Sequence, residues 1–253
     1  MSWTDAHGTF AIVGAQKAGT TALSQFLAAH PGICMAEPAE THFFDRSQYF
    51  TGCPPPYREF HRAVYQHYGG EQAVGWSTPS IMFAHGAVER LARYNRDLRL
   101  IVLLRHPVER AFSHYRMQVA AGHEQLTFRR ALESEPGRLA AGTDFGEPGL
   151  LYSYASRGLY EPQIRRLIRH FGGDQILFVE SERLRLRHQE TLAEVYRFVG
   201  VSEPAEFPAS RQVHVGSDDR MTDEDRAALL RLYRETVNEV ERLLGWSLPE
   251  WRR

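Results

Sequence analysis

The hydrophobic pattern of the chain alternates short apolar runs with longer stretches in which apolar residues recur at helical spacing. The runs at 9–14, 98–104 and 175–179 are almost uniformly apolar, which is typical of strands buried on both faces. A shorter run at 33–35 is a candidate for a further strand. Helical spacing and capping residues predict helices at 20–30, 84–94, 108–120, 161–171, 189–199 and 222–245. Strands that alternate with helices predict an α/β fold with three layers and a mainly parallel sheet.

Two segments interrupt this alternation. Residues 45–75 are rich in aromatic residues, His, Pro and Gly, with three consecutive prolines at 54–56, and are typical of an irregular insert rather than a linker. Residues 117–160 contain a second variable region of loops and helices. The sequence has no internal repeat and no low-complexity tract. We therefore predict one domain over residues 1–253, in which these two inserts shape a substrate pocket.

The overall composition is that of an ordinary globular protein, with 43% hydrophobic and 24% charged residues. The formal net charge of −1 argues against a general attraction to nucleic acid or to an anionic membrane. A local cluster of donors must therefore bind any anionic ligand. The oligomeric state is not readable from these numbers.

The N-terminal residues 1–8 lack the apolar core of a signal peptide, and no apolar run approaches the roughly 18–20 residues that cross a bilayer. We expect a soluble, cytoplasmic protein without a membrane anchor. Cys34 and Cys53 are the two cysteines, and they are not spaced as a metal site. Two thiols suit a reducing compartment, although a disulfide between them remains open.

Of the 30 lysines and arginines in the chain, one alone is a lysine, Lys17. It lies between the first strand and the first helix, where Gly14 and Gly19 have the spacing of a phosphate-binding loop. In the usual phosphate loop a lysine follows the second glycine, whereas Thr20 takes that position here. Backbone amides and the Thr20 and Thr21 hydroxyls would bind a phosphate, and Lys17 would face the transferred group. The alternative is a plain glycine turn.

The predicted strand at 98–104 ends in a cation. An enzyme that uses a nucleoside triphosphate commonly holds Mg²⁺ with an Asp at such a strand end, whereas this chain offers Arg105. Ser113 follows within the next predicted helix and can face the same side as Arg105. Two anion sites without a metal-binding acid describe 3′-phosphoadenosine 5′-phosphosulfate (PAPS). The loop around Lys17 would bind its 5′-phosphosulfate, Arg105 and Ser113 its 3′-phosphate, and no metal is expected.

Three motifs then occur in the order of a known family, Gly14-Ala-Gln-Lys-Ala-Gly-Thr-Thr-Ala-Leu23, Glu40-Thr-His-Phe-Phe-Asp45 and Leu104-Arg-His-Pro-Val-Glu-Arg-Ala-Phe-Ser-His-Tyr115. Arg157-Gly-Leu-Tyr160 and the segment 175–184 follow in the same order. On these residues the sequence resembles sulfotransferases, closest to the heparan-sulfate type and its bacterial relatives. The resemblance extends from residue 9 to about residue 200.

The resemblance implies a P-loop-like, nucleotide-binding transferase with PAPS as co-substrate and adenosine 3′,5′-bisphosphate (PAP) as product. It implies a donor-binding loop of Gln16, Lys17, Ala18, Gly19, Thr20 and Thr21. It assigns Glu40 as the general base for the acceptor, with His42 assisting the base or orienting the acceptor. Asp45 would hold this segment, and the substrate-binding residues would be His42, Asp45 and Ser77.

The sequence departs from the family at two places. Many heparan-type members carry a lysine at the position of Ser77, so charge stabilisation would depend more on Lys17, His42 and backbone donors. The late basic loop that closes over the nucleotide is poorly matched; its candidate is the segment 215–220, with Arg220 as the nucleotide-binding residue.

The expected reaction is in-line transfer of a sulfuryl group to a hydroxyl or amine of a glycan or small molecule. One alternative is a small-molecule kinase of the P-loop group, which metal-dependent turnover of ATP would reveal. Another is a nucleotide- or carbohydrate-binding module without chemistry, which would bind PAP tightly and transfer nothing. Tyr49, Phe50, Tyr57, His61 and Tyr65 would either stack on an acceptor ring or pack the first insert.

Overall fold

The computed structural model describes residues 8–141, 147–210 and 221–253 of the chain. Its backbone separates into two compact units. Among the described residues, the first unit comprises 8–104 and 167–210, and the second comprises 105–141, 147–166 and 221–253. The expectation of one domain over residues 1–253 stays a prediction.

The first unit is built on one sheet of five parallel strands. The strands are β1 (Phe10–Gly14), β2 (Ile33–Met35), β3 (Ala73–Ser77), β4 (Arg99–Leu104) and β5 (Ile176–Glu180). Their order across the sheet is β2-β3-β1-β4-β5, and every adjacent pair is parallel. The central strand β1 is buried along its whole length. The predicted α/β class with a parallel sheet is confirmed.

In the described part of the chain, α-helices lie between the strands and follow the last one. They are α1 (Thr20–Ala28), α2 (Tyr57–Val64), α3 (Ala87–Tyr94), α4 (Pro107–Ala120), α5 (Phe128–Ala141), α6 (Glu147–Tyr152), α7 (Tyr160–Phe171), α8 (Ser181–Leu186), α9 (His188–Val199) and α10 (Asp223–Leu244). The connections β1-α1-β2 and β3-α3-β4 run in opposite directions across the sheet. Right-handed crossovers put their helices on opposite faces, as three layers require.

The hydrophobic pattern missed β3 and assigned part of it to the first insert. Residues 73–75 belong to this buried strand, so the insert ends before Ala73, and its middle forms α2. The strand has little apolar signal because Gly75 interrupts it and Ser77 ends it. A Cβ atom on Gly75 would collide with the ring of Phe10, its partner in β1, so close packing between the strands explains the glycine.

The second unit is mainly helical. Helix α10 begins where its sequence predicts, because the Thr222 hydroxyl accepts a hydrogen bond from the Asp225 amide at 3.2 Å. It ends at Gly245, which has the left-handed conformation typical of a helix C-cap. The buried carboxylate of Glu124 pairs with Arg138 and accepts a hydrogen bond from the Tyr154 hydroxyl. Burial raises the pKa of Glu124, but these partners and a backbone amide outweigh it and lower that pKa to about 2.

Two further expectations concern the cysteines and the membrane. Cys34 is buried, Cys53 is exposed, and both are free thiols. Burial and the nearby Glu71 and Glu37 carboxylates raise the pKa of Cys34 to about 11. Among the described helices, none combines the length and the apolar character that a bilayer crossing demands. The cytoplasmic location stays a prediction.

Candidate active site

The glycine loop after β1 is anchored at both ends. The Ala15 amide donates to the Leu103 carbonyl of β4 at 2.6 Å, and the Ala18 amide closes the loop on the Ala15 carbonyl at 3.1 Å. Lys17 and Gly19 lie in the left-handed region, with φ of 70° and 94°. A lysine with positive φ is a strained conformation, which costs on the order of 1–3 kcal/mol and is concentrated at functional sites. The conformation therefore marks Lys17 as a candidate functional residue.

The N-terminus of helix α1 has the features that favour an anion. Its first intrahelical hydrogen bond runs from the Leu23 amide to the Gly19 carbonyl, so the amides of residues 20–22 precede the helical pattern. Gly19 provides no side-chain cap, and the first turn contains no acidic residue. Backbone amides and the positive end of the helix dipole favour an anion here.

The side chains of the loop differ in accessibility. Gln16 and Lys17 are half-buried, Ala18 and Thr20 are buried, and Thr21 is exposed. The loop therefore offers backbone amides, a half-buried ammonium group and hydroxyls, which together suit an anionic ligand. The assignment of these six loop residues to the donor stays a prediction.

The segment that contains Glu40, His42 and Asp45 follows β2 and runs along the end of β3. The Ser77 amide donates to the Ala39 carbonyl at 3.1 Å, and the Thr41 and Thr78 hydroxyls lie 3.2 Å apart. These contacts place the segment at the carboxyl edge of the sheet, where the loop after β1 also begins.

A chain of hydrogen bonds leads from the interior to the surface of this segment. Asp45 has no exposed side-chain surface, and its Oδ2 atom accepts from the Ser80 hydroxyl at 2.5 Å and from His42 Nδ1 at 2.8 Å. His42 Nε2 lies 3.5 Å from Glu40 Oε2, and the Glu40 side chain is about half exposed at 47%. The buried carboxylate thus orients the imidazole, which in turn faces a carboxylate open to solvent.

This arrangement keeps His42 protonated at neutral pH. Hydrogen bonds to Asp45 and Glu40 raise the pKa of His42 to about 9, against the opposing effect of partial burial. For Asp45, burial raises the pKa, but the hydrogen bonds from His42 and Ser80 outweigh it and leave that pKa below its usual value. The structure therefore holds an imidazolium between two carboxylates.

Residues 78–82, which follow β3, connect this network to the glycine loop. The Thr78 amide donates to the Ile12 carbonyl and the Met82 amide to the Val13 carbonyl, both at 2.9 Å. A Cβ atom on Gly14 would collide with the Met82 side chain, so the first glycine of the loop is required by this crossing. Ser80, on the same segment, reaches Asp45.

Sequence reasoning missed Ser80. Its signal is the polar Ser-Thr-Pro-Ser run at 77–80, which becomes informative once β3 is recognised as a strand. Ser77 itself is buried, with 2% of its surface exposed, and its predicted contact with substrate stays a prediction.

Arg105 and Ser113 lie in the second unit. Arg105 directly follows the last residue of β4, and Ser113 lies in the second turn of α4; both are half-buried. The backbone carbonyl of Arg105 accepts a hydrogen bond from the Tyr160 hydroxyl at 2.8 Å. His106 caps α4, because its Nδ1 atom accepts from the Val108 amide at 3.2 Å. Arg220 lies outside the described residues.

The aromatic residues of the first insert separate into two groups. Tyr65 and His61 are buried, and their polar atoms reach the Gly75 carbonyl at 3.3 Å and the Tyr94 hydroxyl at 2.7 Å, so they pack the core. Tyr49 is exposed, and Phe50 and Tyr57 are half-buried. Only this second group remains available as an acceptor-stacking surface.

Over the described ranges, no group of three or more His, Cys, Asp or Glu side chains is arranged to hold a metal ion. The expectation that the site contains no metal stays a prediction.

Comparison with solved structures finds the same fold in a bacterium. The sulfotransferase from Alicyclobacillus acidocaldarius superposes with a TM-score of 0.81 over 98% of this chain and 100% of that one, at 27% sequence identity. The predicted sulfotransferase-type fold is thereby confirmed.

Comparison with curated proteins finds heparan sulfate enzymes of mammals. The heparan sulfate glucosamine 3-O-sulfotransferase 3B1 of Mus musculus is 34% identical over 195 residues, which is 75% of this chain and 45% of the relative. The 3-O-sulfotransferase 6 of Homo sapiens is 30% identical over 190 residues, which is 75% of this chain and 51% of the relative. The chain therefore spans about half the length of the curated relatives it matches.

The family model described as "Sulfotransferase domain" matches residues 8–217. This range includes the glycine loop, the network of Glu40, His42 and Asp45, and both Arg105 and Ser113. Because the match covers well over half of the chain, the protein belongs to the sulfotransferase family.

Proposed function

We propose that the protein transfers a sulfuryl group from PAPS to a hydroxyl or amine of a glycan or small-molecule acceptor. The observation that carries this proposal is the segment 78–82, which is hydrogen-bonded to the end of β1 and to Asp45. It joins a phosphate-type loop and an acid–base network at one edge of one sheet. A transfer reaction needs both a site for the transferred group and a base for its acceptor.

The donor would be bound entirely by N–H, O–H and ammonium groups. We assign its 5′-phosphosulfate to Lys17, to the Thr20 and Thr21 hydroxyls and to the amides that begin α1. We assign its 3′-phosphate to Arg105 and Ser113, because a guanidinium group binds phosphate through two parallel hydrogen bonds. The acid-free first turn of α1 supports an anionic ligand at the loop.

Glu40 would act as the general base. As the acceptor oxygen or nitrogen forms its bond to sulfur, its proton passes to the Glu40 carboxylate. The bond between sulfur and the 5′-phosphate oxygen breaks, and PAP leaves. Lys17 would neutralise the charge that develops on that leaving oxygen, an effect worth about 2–4 kcal/mol when it operates in the transition state.

His42 would position Glu40 rather than replace it. An imidazolium with a pKa of about 9 has no free lone pair to accept a proton at neutral pH. It can, however, orient the Glu40 carboxylate and add positive charge near the transferred group. With the uncharged Ser77 where the family resemblance suggested a lysine, we assign charge stabilisation to Lys17, His42 and backbone donors.

For the acceptor we propose a glycan. The curated relatives are named for glucosamine in heparan sulfate, which favours a sugar hydroxyl or amine. The Tyr49 ring stacks on Phe43 at a centroid distance of 5.2 Å, next to His42 in the chain, and keeps 37% of its surface exposed. An exposed aromatic ring stacked on the segment that contains the proposed base offers an apolar face to a sugar.

The donor half and the acceptor half of this proposal are tested separately. For the donor, we expect PAP to raise the melting temperature of the protein and PAPS to be slowly hydrolysed to PAP without any acceptor. For the acceptor, labelled PAPS is incubated with heparan-type oligosaccharides, simple amino sugars and phenols, and label transfer is measured. Magnesium-dependent phosphate transfer from ATP would replace the proposal with a kinase. Tight PAP binding without hydrolysis or transfer would replace it with a binding module.

A further inference from the structure

The motif at 157–160 ends in a tyrosine whose hydroxyl group has a specific partner. Tyr160 is the first residue of α7, and its side chain is fully buried. The hydroxyl donates to the backbone carbonyl of Arg105 at 2.8 Å. A buried tyrosine needs a partner for its hydroxyl, but the choice of this carbonyl connects it to the residue proposed to bind the 3′-phosphate.

The Arg105 carbonyl lies where regular structure is interrupted. Arg105 is outside both β4 and α4, and it precedes His106, the N-cap of α4. A backbone carbonyl outside a strand or helix lies beyond the regular hydrogen-bond pattern and is satisfied by other backbone amides, by side chains or by water. The Tyr160 hydroxyl therefore restrains the peptide group that contains the Arg105 carbonyl, and with it the backbone to which the Arg105 side chain is attached.

A second aromatic residue supports this position from the C-terminal segment of the second unit. The Trp251 ring is buried, with its centroid 6.0 Å from the Tyr160 ring and 6.3 Å from the His106 ring. His106 Nε2 lies 3.3 Å from the Arg253 carbonyl, while its Nδ1 caps α4. His106, which follows Arg105 in the chain, thus belongs to a cluster of rings with Trp251 and Tyr160.

We infer that Tyr160 is a positioning residue for Arg105, held in place by Trp251, and that it sets how strongly the site discriminates for a 3′-phosphate. This inference rests on the proposed function, because it takes Arg105 as the ligand of the donor's 3′-phosphate. Tyr160 itself does not contact the nucleotide. It acts by fixing the backbone from which the guanidinium extends.

The test compares PAP with adenosine 5′-monophosphate, which lacks the 3′-phosphate. Binding of both nucleotides is measured by calorimetry for the wild-type protein and for Tyr160→Phe, which removes only the hydroxyl. We expect the affinity for PAP to fall about three- to tenfold, the size of one neutral hydrogen bond, with the affinity for the monophosphate unchanged. In turnover assays the KM for PAPS should rise while kcat at saturating PAPS stays the same.

A matched control is Tyr233→Phe. Tyr233 is also buried in the second unit, and its hydroxyl also donates to a backbone carbonyl, that of Ala155, at 2.9 Å. We expect this variant to keep the PAP-to-monophosphate affinity ratio. Trp251→Leu, which weakens the support of Tyr160, should lower the ratio in the same direction as Tyr160→Phe.

The outcomes separate the inference from the function on which it rests. If Arg105→Ala loses the preference for PAP but Tyr160→Phe retains the wild-type ratio, the positioning role is overturned and the donor site stands. An equal loss of affinity for both nucleotides in Tyr160→Phe also overturns it, because that is the effect of a merely structural residue. If the wild-type protein shows no preference for PAP, the proposed donor itself is wrong.

Discussion

The glycine loop at 14–21 and the segment at 40–45 lie at the same edge of the sheet but are built differently. The loop consists mostly of backbone amides, and its conformation depends on a glycine turn between a strand and a helix. The segment acts through side chains and depends on contact with Ser80, which lies 40 positions after Glu40 in the chain and donates a hydrogen bond to Asp45. A local sequence can specify the first kind of site, whereas a folded core must assemble the second.

Because of this difference, we expect amino-acid substitutions to affect the loop and the segment in different ways. Most substitutions leave a backbone amide in place, so among the side chains of the loop the largest loss is expected at Lys17, which carries the charge. The segment is vulnerable at every link, and its vulnerability should decline from the exposed Glu40 to the buried Ser80 as each residue acts through the one before it. The following predictions test that ranking.

The largest effect is expected for Glu40→Gln. The amide cannot accept the acceptor proton, so kcat should fall about 10²- to 10⁴-fold, the usual contribution of a general base. The loss is measured as transfer of labelled sulfate at saturating PAPS. PAP affinity should be unchanged, since we assign Glu40 to the acceptor and not to the donor nucleotide.

Glu37→Gln is the matched control, because Glu37 is an exposed glutamate three residues earlier in the same segment. It should retain wild-type turnover. Near-normal turnover of Glu40→Gln would show that another group removes the acceptor proton, and the chain of Glu40, His42 and Asp45 would lose its assigned role.

Lys17→Ala should reduce kcat about 10²- to 10³-fold, because we assign to its ammonium group the stabilisation of charge that develops only in the transition state. Lys17→Met keeps the length of the stem without the charge and should lose as much. Lys17→Arg keeps the charge, but its planar guanidinium has a different shape, so activity should recover only in part.

These Lys17 variants are compared by steady-state kinetics and by thermal melting. Melting temperatures should stay close to the wild-type value, since Lys17 is half-buried and lies in a surface loop. Full activity in Lys17→Met would contradict any role for its charge in catalysis and would leave the loop as a purely backbone site.

A smaller effect is expected for Asp45→Asn, and its signature is a change in pH dependence. The hydrogen bond that His42 donates to Asp45 is the largest cause of the raised His42 pKa of about 9, so the variant should return that pKa toward its ordinary value of 6.5. If the imidazolium orients Glu40, the alkaline loss of activity moves to lower pH. Histidine titration by NMR and a pH profile of kcat measure the two shifts, with the exposed Asp97→Asn as control.

The raised pKa of His42 also determines how the stability of the folded protein changes with pH. The pKa of His42 is higher in the folded protein than in the unfolded chain, so protonation favours the folded state. This stabilisation is fully present below about pH 6.5 and is lost as the pH rises through about 9. The difference in melting temperature between wild type and Asp45→Asn should therefore shrink at alkaline pH. Ser80→Ala leaves the Asp45 carboxylate and its charge in place, so it should change the His42 pKa less than Asp45→Asn does.

Much of the fold was predictable from local pattern. The strands at 9–14 and 98–104, the capped start of α10 and its end at Gly245 follow from apolar runs and capping residues, whose physics acts over a few neighbours. The strand β3 was not predictable in this way, because its burial depends on neighbours in the sheet and its glycine accommodates the ring of Phe10.

The sequence by itself determined the cationic character of the site. The spacing of Gly14 and Gly19, the single lysine between them, and an arginine where a metal-binding acid would stand are all local features of the chain. They suffice to indicate an anionic donor, because a loop of amides and one ammonium group has the same chemistry in any fold that preserves its turn.

Only the tertiary structure decided the protonation state of His42 and the contacts of the segment at 40–45. Glu40 and His42 are close in sequence, but the protonation of His42 depends on its hydrogen bonds to Asp45 and Glu40, and Asp45 is held by Ser80 from another part of the chain. The tertiary structure also shows that Tyr65 and His61 are buried, so these two residues are not part of the candidate acceptor surface. The physical reason is the same in both cases. The burial and the pKa of a side chain depend on its environment, and residues distant in the sequence form that environment only when the chain is folded.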